Sequence, residues 1–191
     1  MTAIDICNRA LARIGSPAIS ALDEDSSGGI ACAREYEPTV REALTTPGGV
    51  PFQWRFAMKQ AELSLLEDTP VARWSYAWQV PADCLVVRGA FVGSSPIMFD
   101  RYEDMIYCDY NDGLVLEYTR RPDEDQWPSY FTPGVVRDLA TRLALSLRDS
   151  GDKARVVGET FSWAGARRAD SMAQSSRILR GTRLMNARFR R

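Results

Sequence analysis

Apolar residues at Ile4, Cys7, Leu11 and Ile14 recur at helical spacing, a stripe that predicts an amphipathic first helix. Thr2 stands where an N-cap belongs, and Asp5 three residues later completes a capping box. Gly15 and then Pro17 stop the helix. The stretch "SPAISALDEDSSGG" has no period and reads as a loop anchored by Ile19 and Leu22. A second stripe, Ala33, Tyr36, Val40 and Leu44, predicts a helix over 29–44. Pro38 lies inside it and should kink or split it near Arg34, because proline has no N–H for the carbonyl one turn back. "TTPGGVP" ends that helix, and "RFAMKQAELSLLED", apolar at Phe56, Leu63 and Leu66, reads as a third.

Between 72 and 121 the texture changes to short β-rich runs: "RWSYAWQV", "LVVRGAFV", "PIMF", "MIYCDY" and "LVLEYTRR". "PADC" makes a turn, and Asp112-Gly113 predicts a hairpin joining the last two runs. Helical spacing returns at Thr132-Pro133, with Val136, Leu139, Leu143 and Leu147 as its core stripe and Gly151 as its stop. A long helix is expected over 152–177. Val156, Thr160 and Trp163 mark its first half, while "RRADSMAQSSR" is polar nearly all round, as when a helix leaves the core or meets a partner. The pattern predicts an α+β fold, mainly α: an antiparallel helical bundle with a small antiparallel β-sheet insertion and a flexible basic C-terminal arm. Its expected parts are N-terminal bundle helices (1–71), the β-rich insertion (72–121), C-terminal bundle helices (122–177) and the arm (178–191).

Composition narrows the function. With 191 residues, 45% of them hydrophobic, the chain can bury one good core, with room for a small second lobe. No apolar run approaches the roughly 18–20 residues of a membrane-spanning helix, and "MTAIDICNRALARIG" lacks the apolar centre of a signal peptide. The expectation is a protein made and used without export. Cys7, Cys32, Cys84 and Cys108 are far apart with no C-x-x-C pair, so they read as small buried hydrophobes. Histidine is absent, which removes Ser-His-Asp and Cys-His nucleophiles and H-E-x-x-H zinc sites. Lys59 and Lys153 are the only lysines; arginine, always charged, suits fork-shaped contacts rather than proton transfer. The chain therefore reads as a binding protein, not an enzyme, with no cofactor or metal.

Charge is polarised. Residues 1–150 hold 14 basic and 22 acidic side chains, whereas 151–191 hold 10 basic and 3 acidic. The stretch 177–191, "RILRGTRLMNARFRR", has six arginines and no acid. As a nucleic-acid tail it would set Arg177, Arg180, Arg183, Arg188, Arg190 and Arg191 on phosphates. As a membrane-surface helix it is poor, since Gly181 interrupts a thin apolar face. As a protein-docking arm it would add Ile178, Leu179, Leu184, Met185 and Phe189 as anchors between the arginines, a mixture that interface cores favour. The acid clusters at 23–25, 100–104, 109–112 and 123–125 lack metal-loop spacing and read as solvated loops, or as a surface that repels passing phosphate. Trp54, Phe56, Trp74, Tyr76, Trp78 and Tyr118 could stack on bases but sit where a helix–sheet junction needs core.

Three blocks in order carry a resemblance: "NRALARIGSPAISALDED" with "CAREYEPTVREAL"; "FQWRFAMKQAELSLL" with "YAWQVPADCLVV"; and "LVLEYTRRPDEDQW" leading into "VVRDLATRLALSL". Together they resemble the head-to-tail adaptors of tailed bacteriophages, the tail tubular protein A type, from Asn8 to about Arg177. "FQWRFA" stands where that family has "PWNFA", and "TTPGGVP" reads as an insertion. The resemblance implies a structural virion protein, made in the host cytoplasm and placed at the head–tail junction. It would form a ring with copies of itself, usually dodecameric, between the portal protein and the tail nozzle protein. Double-stranded DNA would pass through without sequence-specific binding. The arm would reach the portal and the β insertion would face the tail. A DNA-binding or packaging-associated phage protein, and the head–tail connector of a long-tailed phage or phage-like particle, are the alternatives; an enzyme built on carboxylates ranks behind them.

Overall fold

The computed structural model describes residues 1–67, 70, 72–148 and 161–173. Its first helix, α1 (Ala3–Arg13), carries the expected capping box, with Thr2 Oγ1 accepting the Asp5 N–H and Asp5 accepting the Thr2 N–H. Ile6, Cys7, Ala10 and Leu11 are buried, and Gly15 takes φ +70° just past the end. Helix α2 (Ser27–Thr45) runs through Pro38 without the expected split. Thr39 Oγ1 donates to the Glu35 carbonyl at 2.6 Å beside the proline, and the flanking Tyr36 and Val40 are buried. Packing of that face offsets the one helical bond proline removes. Gly48 and Gly49, at φ +65° and +77°, then turn the chain in a short 3-10 turn, Pro47–Gly49.

The third expected helix is absent. Arg55–Ala57 makes one 3-10 turn, and β1 (Met58–Glu62) follows as a strand. The strands after it are β2 (Tyr76–Gln79), β3 (Cys84–Val92), β4 (Ser95–Pro96), β5 (Asp100–Tyr102), β6 (Met105–Cys108) and β7 (Leu114–Arg120). They form two antiparallel sheets, ordered β1-β7-β3-β4 and β2-β6-β5. The hairpin expected at Asp112-Gly113 does not form either: Gly113 turns at φ +65°, but β6 and β7 belong to different sheets. The expected fold class is thereby corrected: this is not a helical bundle with a small sheet insertion, but helices together with two antiparallel sheets of seven strands.

Continuous chain joins the two sheets at both flanks. Beyond β1, Leu63 N–H still bonds Leu114 O, while Ser64 O accepts from Gln79 and Leu66 N–H bonds Ala77 O, so one run borders β7 and then β2. On the other flank β4 pairs with β3, and the chain continues into β5, which pairs with β6. Strands that change sheets in this way make the corners of orthogonally packed sheets. Trp78, Ile106 and Cys108 from one sheet meet Ala90, Leu114, Leu116 and Tyr118 from the other in a shared core.

A second core belongs to the helices. After a 3-10 turn at Glu124–Gln126, helix α3 (Thr132–Arg148) lies between α1 and α2, burying Val135, Val136, Leu139, Ala140, Leu143 and Ala144. The last described helix, α4 (Trp163–Met172), starts at the Ser162 cap after the non-helical Phe161. The long helix expected over 152–177 therefore does not run through 161–162, and its remaining ends lie outside the described residues.

Arg121 ties the layers together. It donates to Glu37 on α2 at 3.1–3.4 Å and to Glu124 at 2.7 Å, and it lies over the Trp127 ring. Tyr36 donates to the same Glu124 at 2.7 Å.

Candidate docking site

The residues expected to grip a partner, 177–180, 183–185 and 188–191, lie outside the described residues. The structure describes the seat of the helix that precedes them, α4.

Trp163 opens that helix and is buried, and its Nε1–H donates to Asp138 Oδ2 on α3 at 2.8 Å. Arg137 pairs with Asp138 and also donates to the Phe161 carbonyl at 2.6 Å, which fixes the chain just before the helix. The indole can lie this close to α3 because residue 134 is glycine: a Cβ there would stand 2.4 Å from the ring. Around it Trp54, Phe131 and Phe161 pack with ring centroids 5.4–5.8 Å away, the Phe161 contact edge-on.

Two turns on, Asp170 is fully buried. Its carboxylate accepts the Arg55 backbone N–H at 3.1 and 3.3 Å and the Tyr130 hydroxyl at 2.8 Å. Arg55 begins the 3-10 turn before β1, and no side chain from that turn's own N-cap satisfies it. Asp170 thus caps a distant turn, giving its part-buried donors an acceptor from another element. Burial, and then the neighbouring carboxylate, pushes the Tyr130 phenol above its ordinary pKa, so it remains a donor. The opposite face of α4, with Ala164, Arg168 and Met172, is exposed, Met172 at 77%. One face of the helix is fastened to the body and the other is open.

Several residues of the acid clusters have structural partners. Asp100 accepts from Trp74 Nε1 at 2.8 Å and pairs with Arg73; Asp109 accepts the Ser75 N–H and hydroxyl; Glu24 accepts the Ser20 N–H and hydroxyl. Among the described residues, no group of three or more acids and cysteines could hold a metal ion, and no helix is long and apolar enough to cross a membrane. Trp54, Trp78 and Tyr118 are buried, as the core reading expects, and Phe56 and Tyr76 pack half-buried against the two cores, whereas the half-buried Trp74 belongs to neither. Cys7, Cys32 and Cys108 are buried free thiols and Cys84 is half-buried.

Comparison of the chain with protein families and with curated proteins finds no match. The functional reading therefore rests on residues and geometry. Sequence reasoning placed Trp163 on an apolar face but missed Gly134, Asp138 and Asp170. A lone buried aspartate in a polar stretch has no local signature; its partners at Arg55 and Tyr130 are distant in the chain.

Proposed function

We propose that this protein is a structural, non-enzymatic component of a phage particle: a head-to-tail adaptor that forms a ring with its own copies between the portal and the tail nozzle. The observation that carries this reading is the order of the three sequence blocks from Asn8 to about Arg177, followed by the arginine-rich, apolar-studded stretch 177–191. The seat of α4 is compatible with it. A helix fastened by Trp163 and Asp170 gives the arm a fixed point of departure, and an arm that orders on binding can wait for its site while its charge speeds encounter. The connector of a long-tailed particle is a neighbouring form of the same reading.

Incubating the full chain with purified portal rings tests this by electron microscopy. An added ring on the tail side of the portal is expected, and a chain truncated after Arg177 should stay folded yet leave portals bare. Equal decoration by the truncated chain would reject the arm's role. Bare portals with the full chain, together with salt-sensitive retention on duplex DNA, would favour the DNA-binding reading that the six arginines also permit.

A further inference from the structure

A cavity of about 460 Å³ lies where the 51–55 segment, β3 and the end of α4 meet, and Arg88 stands on its wall. The ladder between β3 and β7 skips at this residue: Val87 faces Tyr118 and Gly89 faces Glu117, so Arg88 has no opposite number. Such bulges re-aim a side chain. Here the re-aimed guanidinium donates from Nε to Thr119 Oγ1 at 2.9 Å and from Nη2 to the Phe52 carbonyl at 3.0 Å. Both acceptors are neutral. Arginine has five N–H donors, so three are left over, two on Nη1 and one on Nη2.

No carboxylate among the described residues pairs with Arg88. Arg121, half-buried like Arg88, and the buried Arg137 each face one. Asp170 lines the same cavity but has turned its oxygens to the Arg55 N–H and the Tyr130 hydroxyl. Withdrawing a guanidinium from water without a counter-charge is unfavourable, and arginine does not escape by losing its proton. The remaining walls can take the body of a small acid: Pro51, Phe52 and Met58 are apolar, Gln53 and Ser171 are neutral and polar, and Arg55 adds a second positive charge. The volume is within the range of small-ligand pockets.

From the bulge, the uncompensated guanidinium and the cavity it borders, we infer that Arg88 is the anchor of a binding site for a carboxylate on a short aliphatic stem. Two parallel N–H···O bonds from the outer edge of Arg88 would hold the carboxylate, with Phe52 and Met58 against the stem. The carboxylate could be that of a free small acid or of an acidic side chain on a partner. This site is independent of the proposed ring function.

The Arg88 Nε–H resonance, followed by NMR at constant ionic strength, tests the site. The probes are glutarate, an N-acetylated Ala-Glu-Ala amide, and neutral glutaramide as control. Saturable shifts with the two carboxylates and none with glutaramide are expected. Ser171→Phe, which fills the cavity from an exposed helical position and leaves the bonds of Arg88 in place, should weaken binding at least about tenfold. R88Q should abolish protection of the fold by glutarate; if that variant does not fold, S171F alone decides. Tighter binding of glutarate identifies a free acid as ligand, and tighter binding of the peptide a partner's side chain. Shifts that never saturate, that glutaramide reproduces, or that S171F leaves unchanged would overturn the site.

Discussion

Gly134 is the residue on which the seat of α4 depends most directly. A methyl group there would overlap the Trp163 ring, whose place is also fixed by its bond to Asp138 and by Trp54 and Phe131. An indole held on several sides cannot slide away freely, so Gly134→Ala is an overpacking substitution. Although alanine favours helix over glycine by up to about 1 kcal/mol, the clash should win and cost about 1–3 kcal/mol. Urea unfolding is the measurement: the midpoint should fall with little change in slope. A midpoint at or above that of the parent would mean the ring shifts without cost, and the proposed fixed departure of the arm would lose its support.

Among elements, the junction of α2 with the segment after β7 is sensitive to acid. Burial disfavours the Glu124 carboxylate, but hydrogen bonds from Arg121 and Tyr36 outweigh it and hold its pKa below the ordinary value. Burial likewise opposes the Arg121 charge, but its bonds to Glu124 and Glu37 outweigh that and raise its pKa above the ordinary value. A carboxyl whose pKa is lower in the folded state binds fewer protons there than in the unfolded chain. Its stabilisation is complete above the unfolded value and disappears as pH falls through the folded one. Glu124→Gln should therefore be less stable than the parent at neutral pH, and the gap should narrow as acid is added. Urea midpoints across a pH series measure this; a gap that stays constant with pH would show that the ion pair is not the source.

The elements that could be read from the sequence are those whose signals are local. Helix α1 has its stripe, capping box and stopping glycine together, and α3 has a stripe long enough to be buried on most sides. The run "MKQAELSLL" instead mixes good helix formers with an alternation too short to decide. Its strand character comes from pairing with β7, some sixty residues away, where Ala61 faces Leu116. Asp112-Gly113 produced the turn it signals, but the strands on either side bury their faces in different sheets, which no dipeptide encodes. The same holds for the candidate sites. Arg88 reads as one polar residue in a β run, and only the bulge and the cavity beside it give it a role.

For the whole molecule, the difference between the expected and observed architecture has a direct consequence. A helical bundle with an insertion would survive loss of the insertion. Here 72–121 contains β7, the partner of β1, and Arg88 and Arg121, which bond to Phe52 and Glu37 outside it. Replacing 72–121 with a short linker should leave β1 unpaired and abolish cooperative unfolding. A single sharp thermal transition in that variant, followed by circular dichroism, would contradict the interdependence of the two cores.

Because the polypeptide itself turns both corners between the sheets, neither sheet can peel away from its flank. Loosening β1 drags at β2 through the residues that follow it, and loosening β4 drags at β5. A pull delivered through the helices should thus load both sheets together, and a single rupture event in force spectroscopy is the outcome this connectivity leads us to expect.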